Sequence, residues 1–266
     1  MEYKIVTPDD SEYPEKLIKR LGKDCPGKLY YHGPLDLFNH FCIGIICSDQ
    51  SSGSILMETN QILFTLREFD MNYIGGWHSI IETEIFRLSL FRKNTTTTLF
   101  SAKGLEVETF ESYLRDRFFP PLHEFPEESE YFRRARENEL LILSIAEPDE
   151  TKQLRKNIME RNFLACVLSD VVFIPYGPKG SKTFIQSKRI KELKIPAFTI
   201  ETEECENLHE IGIPGFNKIT VKAFLKESGA KLASQINYNK KFKIKNKEQQ
   251  LSFVKQSEQT KLDFKE

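Results

Sequence analysis

At 266 residues, with 39% hydrophobic and 29% charged residues, the chain can bury one substantial core and carry a small appendage. A formal net charge of −1 excludes a globally basic surface, so any contact with a polyanion must come from a local site. No window approaches the roughly 18 apolar residues needed to span a bilayer, and the first ten residues hold no apolar run with a cleavage site. These features predict a cytoplasmic protein with no membrane partner.

In chain order, residues 1–40 read as a lead-in segment packed on a sheet, punctuated by Tyr13-Pro14 and Cys25-Pro26-Gly27. Residues 41–47 are a continuous apolar run ending in small polar residues, the pattern of a strand buried on both faces. An amphipathic helix is predicted over 55–69, a short strand over 71–74, and a helix from a Ser79 cap to residue 93. Glu82, three residues after Ser79, would complete a capping box. Residues 95–101 are β-rich, and 102–139 form a long excursion with one or two helices. Then follow a strand at 140–145, a helix at 152–168, a strand at 171–175, a helix at 182–193 and a last strand at 196–200.

This alternation predicts an α/β, Rossmann-like fold: a mostly parallel sheet with helices on both faces and right-handed crossovers. The expected organisation is a lead-in (1–40), a Rossmann-like domain (41–215), and a C-terminal helix with a flexible tail (216–266). Residues 238–266 hold eight Lys against three Glu and one Asp, a net of about +4, so the tail is basic and reads as disordered beyond residue 236 or so. The five cysteines form no C-x-x-C pair and the five histidines show no ligand spacing. No metal, disulfide framework or cofactor is expected.

Ligands of open parallel sheets sit beyond the carboxyl ends of the strands, so the loops there carry the candidate site. The first loop, with Ser48 and Gly53, offers small residues whose backbone N–H groups would face an anion at a helix N-terminus. Its alternative is an ordinary polar loop. The second holds Gly75, Gly76, Trp77, His78 and Ser79. Paired glycines permit close backbone approach, and Trp77 and His78 would stack on a base or donate to phosphate. The competing reading is a tight turn with Trp77 in the core. On the helix at 152–168, Arg161 beside Asn162 offers a fork of donors suited to phosphate, against the alternative of a solvated helix face. The fourth loop leads through Gly180 and Ser181 to Lys182 and Thr183 at the start of a helix. It fails the Walker A spacing, which disfavours a P-loop nucleotidase and leaves generic anion binding open.

These loops, in this order, resemble the DprA/Smf family. Tyr13-Pro14 with Leu17, then Pro26, Leu29-Tyr30 and Gly33, is similar to its lead-in pattern. Ser48 with Gly53, Gly75-Gly76, Arg161-Asn162 before Ser169-Asp170, and Gly180-Ser181 with Thr183 stand where the family has its loop motifs. A short Smf-like branch with G-G-F-H-S and G-S-K-T motifs is closer still. The sequence departs from the pattern at Asp49, where an arginine is expected, and at Phe163, where the second arginine of R-N-R is missing.

The resemblance implies a non-catalytic protein that binds single-stranded DNA and hands it to a RecA-type recombinase, in recombination, repair or DNA uptake. In the tail, Gln259, Leu262 and Phe264 have the spacing of peptides that dock sliding clamps, against the alternative of a solubilising tail. The basic run at 240–247 would add salt-sensitive DNA affinity. Two other readings stand beside this one: a nucleotide-binding sensor or nucleotide-cleaving enzyme, and an adaptor whose site has decayed. No Ser–His–Asp order or carboxylate pair supports the enzyme.

Overall fold

The computed structural model describes residues 3–91, 94–117 and 127–235. By internal contacts the chain divides into residues 1–231 and 232–266; the first unit carries the elements below.

The lead-in forms β1 (Lys4–Val6), α1 (Glu15–Leu21) and β2 (Leu29–His32). Three strand–helix units follow: β3 (Cys42–Ile45) and α2 (Gly53–Leu66), β4 (Met71–Gly75) and α3 (Ile80–Leu90), then β5 (Thr95–Ser101) with α4 (Phe110–Arg117) and α5 (Glu127–Arg136). The chain continues as β6 (Leu140–Ser144), α6 (Arg155–Val167), β7 (Val171–Phe173), α7 (Lys182–Glu192) and β8 (Ala197–Ile200). It closes with α8 (Glu206–Glu210), β9 (Gly215–Phe216) and α9 (Thr220–Glu227).

The strands make one nine-stranded sheet in the order β1-β2-β6-β5-β4-β3-β7-β8-β9. From β6 to β9 all neighbours are parallel; β1–β2 and β2–β6 are antiparallel. This is the mostly parallel Rossmann-like sheet that the alternation predicts, with two corrections at its margins. The lead-in adds two strands at one margin of the sheet, with β1 outermost, rather than lying on it. The strand at 196–200 is not the last, because Gly215 and Phe216 pair with Thr199 and Ile200. Helices gather in two sets: α6 packs with α1 and α7, while α2 packs with α3 and α9, and α3 with α5.

The reasons lie in the residues. β3, β4 and β6 are buried along their whole length, as strands inside a sheet covered on both faces must be. Gly44 lets α6 end close against β3, since a Cβ there would stand 2.6 Å from Ser169 Oγ. The Ser169-Asp170 pair therefore belongs to the scaffold. Asp170 accepts from the Cys42 N–H and from Lys16 Nζ, both at 2.7 Å, and Arg20 donates to the Val167 and Ser169 carbonyls. These bonds pin α1 to the ends of the sheet where β3 and β7 begin. In the lead-in, the Tyr13 hydroxyl donates to the Pro26 carbonyl at 2.6 Å, which joins its two proline motifs.

Among the described residues, the excursion at 102–139 contains two helices, α4 and α5. In α5 the acidic first turn and basic last turn suit the helix dipole, which accounts for the charge switch between Glu127 and Arg136. Arg134 is fully buried and donates to the Leu90 and Thr95 carbonyls at 2.7 and 2.6 Å. Those bonds tie α5 to the end of α3 and the start of β5.

Candidate nucleic-acid interface

From β3 the chain steps outward through β4, β5 and β6, then returns across β3 to place β7 on its other side. The strand order therefore reverses between β3 and β7, and the carboxyl ends of that pair form the crevice where such sheets receive ligands. One wall is the loop after β3. Its Ser48 N–H donates to the Tyr176 carbonyl at 3.0 Å, stitching the two loops together. The Ser48 hydroxyl is shielded from solvent and has no hydrogen-bond partner among the described residues. Asp49 and Gln50 are exposed, and Ser52 caps α2 by accepting from the Ile55 N–H at 3.2 Å. Gly53 opens that helix with free space where a Cβ would lie.

The opposite wall is the loop after β7. Gly177 packs against Thr183, where a Cβ would come within 3.1 Å of the threonine methyl, and its carbonyl accepts from Asn207 at 2.6 Å. Gly180 turns the chain into α7 at φ +83°, a left-handed conformation that favours glycine. Ser181 caps α7 by accepting from the Phe184 N–H at 3.0 Å. Lys182 is exposed in the first turn, while Lys179 pairs with Glu210 at 2.8 Å. Ser48 and Gly53 on one wall, and Gly180, Ser181, Lys182 and Thr183 on the other, thus flank the switch point.

The remaining predicted residues form a second cluster, on the β4 side of β3. Arg161 is 1% exposed. Its guanidinium donates to the Phe100 carbonyl at 3.0 Å and the Gly76 carbonyl at 3.4 Å, and its Nε to Asn162 Oδ1 at 3.0 Å. Gly76 is needed for this, because a Cβ there would lie 2.5 Å from the guanidinium carbon. Gly75 is nearly as confined, with Ile45 and the Trp77 ring 3.3 Å from where its Cβ would be. Arg161 therefore joins the turn after β4 to the end of β5, with its charged fork turned inward.

Trp77 is no stacking platform. It is fully buried, adopts φ +55°, donates from its indole to the Thr98 carbonyl at 3.2 Å and packs against Phe86. The tight-turn alternative is what the structure shows. His78 is exposed, and Ser79 caps α3 by accepting from the Glu82 N–H at 3.1 Å.

The second half of the expected capping box is not formed. Glu82 does not reach back to the cap residue's own N–H. One carboxylate oxygen accepts from the His78 N–H and the other from the Cys47 N–H in the loop after β3, both at 2.8 Å. Burial pushes the Glu82 carboxyl above its ordinary range, opposed by those two N–H donors and by the charge of Arg161. Glu82 is the residue that sequence reasoning placed in the wrong contact. Its position in the first turn of α3 was a visible signal; its crossing to the β3 loop was not.

Two clefts of about 590 and 730 Å³ open at the other end of the sheet, around Tyr31, Gly33, Pro34 and Asp36. Acidic residues line both, Glu12, Glu15 and Asp36 in the first and Asp36 and Glu139 in the second, so the switch point is the better candidate for a phosphate. Among the described residues no group of three His, Cys, Asp or Glu is placed to hold a metal, and no helix is long and apolar enough to cross a membrane.

Residues 4–112 match the family model for DNA recombination-mediator protein A, a span that includes Ser48, Gly53, Gly75 and Gly76. DNA processing protein A (DprA) from Streptococcus pneumoniae shares the fold with a TM-score of 0.65 at 18% identity, over 84% of this chain and 75% of that one. DNA processing protein A from Helicobacter pylori, described by its single-stranded DNA binding mode, aligns with a TM-score of 0.62 at 19% identity, over 85% of this chain and 97% of that one. No curated protein matches in sequence. Residues 4–112 thus carry the pattern of the DNA recombination-mediator protein A family, and the chain as a whole shares the fold of two DNA processing proteins A.

Proposed function

We propose that the chain binds single-stranded DNA across the carboxyl ends of its parallel strands, with a phosphate received between β3 and β7. The observation that carries this reading is the bond from the Ser48 N–H to the Tyr176 carbonyl, which joins the loops leading into the N-termini of α2 and α7, with Lys182 exposed at the start of α7. The fold shared with a DprA described by its single-stranded DNA binding supports the choice of ligand. In this reading Ser48, Gly53, Gly180, Ser181, Lys182 and Thr183 contact phosphate, while Gly75, Gly76, Ser79, Arg161 and Asn162 hold the loops in place. His78, exposed at the margin, touches the strand in this reading without anchoring it. Catalysis plays no part in this reading.

The RecA-type recombinase remains a partner proposed from the resemblance alone. The sliding-clamp contact through Gln259, Leu262 and Phe264 lies outside the described residues. The test is fluorescence anisotropy of the full chain with a labelled oligonucleotide. Binding should fall steeply with salt, and Lys182→Ala should weaken it several-fold without lowering the thermal midpoint. Equal affinity in wild type and Lys182→Ala would remove the proposed site.

A further inference from the structure

A carboxylate in the first turn of a helix ordinarily folds back onto that helix's own cap. Glu82 does otherwise: its two bonds run to Cys47, on the loop after β3, and to His78, one residue before the cap. It is 4% exposed. Burying a charge so completely is costly unless donors and a countercharge meet it. Here two converging backbone N–H groups and the charge of Arg161 offset part of that cost. Converging N–H groups with a nearby cation are the parts of an anion site.

We infer that Glu82 is a resident anion: it fills a two-donor cradle made by the Cys47 and His78 N–H groups, and by filling it excludes a ligand phosphate from the crevice between β3 and β4. Phosphate is then admitted only on the other side of β3, at the switch point. The cradle itself is independent of the ligand; its consequence for DNA rests on the proposed function. The same contact holds the β3 loop, which carries Ser48, against the β4 turn. Glu82 is therefore a positioning residue that also sets where a phosphate may lie.

The test uses the full chain and the variants Glu82→Ala and Glu82→Gln. Thermal unfolding is followed in chloride, formate and inorganic phosphate at matched ionic strength and neutral pH. Alanine vacates the cradle, so formate should raise the midpoint of Glu82→Ala well above its value in chloride. Wild type and Glu82→Gln, whose cradle is filled, should not distinguish formate from chloride. If Glu82→Ala has no cooperative transition in chloride, formate should restore one. In that variant the amide resonances of Cys47 and His78 should shift with added formate. A Glu82→Ala protein indifferent to formate, with both amides unmoved, overturns the cradle.

The same variant, supplied with formate-free buffer, should bind an oligonucleotide several-fold more tightly than wild type, because a phosphate can now enter. Unchanged affinity alongside a positive formate response overturns the exclusion of phosphate. Absence of DNA binding by wild type would strike the proposed function and leave the cradle standing.

Discussion

The two sides of β3 are built from similar parts and differ in what fills them. Toward β7, the Ser48 N–H and the Tyr176 carbonyl join the loops that lead into α2 and α7, the α2 cap Ser52 donates to Glu204 at 2.9 Å, and a lysine stands exposed at the start of α7. Toward β4, the turn at Gly75-Gly76 meets the N-terminus of α3, but the space is taken by Glu82, Arg161 and Trp77, all buried. Glycines and helix N-termini alone do not make an open anion site; the side chains nearby decide whether a phosphate can enter.

The comparison breaks most visibly at Arg161. Removing its side chain takes a donor from the Phe100 carbonyl, leaves the Gly76 carbonyl with the Tyr113 hydroxyl alone, and removes the positive charge near Glu82. Arg161→Ala should cost about 2–5 kcal/mol, the range for truncating a long buried side chain to alanine, read as a loss in chemical denaturation. Gly76→Ala, which drives a methyl into the same guanidinium, should cost about 1–3 kcal/mol. A variant of either kind that keeps wild-type stability would mean that the β4 side is not the packed half of the ledge.

On the β7 side the effects should fall on binding. Asp49 is exposed beside Ser48 and presents a negative charge where the family resemblance expects arginine. Asp49→Arg should tighten binding of single-stranded DNA about fivefold, or about 1 kcal/mol, and steepen its salt dependence. Anisotropy at two salt concentrations checks both.

A smaller effect concerns pH. Burial raises the Glu82 carboxyl above its ordinary value of 4.5. Relative to Glu82→Gln, wild type should therefore keep its full advantage below that ordinary value and lose it as pH rises through the raised one. Parallel stability curves for the two proteins would contradict the burial of an ionisable group there.

The strands inside the sheet were legible because continuous apolar runs such as residues 41–47 have few other uses. β1, β2 and β9 were not. They are two to four residues long, and β2 (Leu29–His32) buries all four of its residues, two tyrosines and a histidine among them, with no alternation to betray it. In the candidate site, the loops were legible as small polar residues between strand and helix, and Ser79 caps its helix as expected. The direction of Arg161 was partly encoded. It lies three, four and seven residues before Leu164, Ala165 and Leu168, all fully buried, so helical spacing places it on the inward face. Its polarity suggested solvent instead. The path of Glu82 to Cys47 depends on two loops meeting across the sheet, which no local pattern records.

The most direct measurement follows backbone amide resonances during a titration with a short single-stranded oligonucleotide. The account predicts that Ser48 and residues 180–183 shift progressively with saturation, while Gly76 and Trp77 stay in place. Shifts centred on Gly76 and Trp77, with Ser48 and residues 180–183 silent, would contradict it.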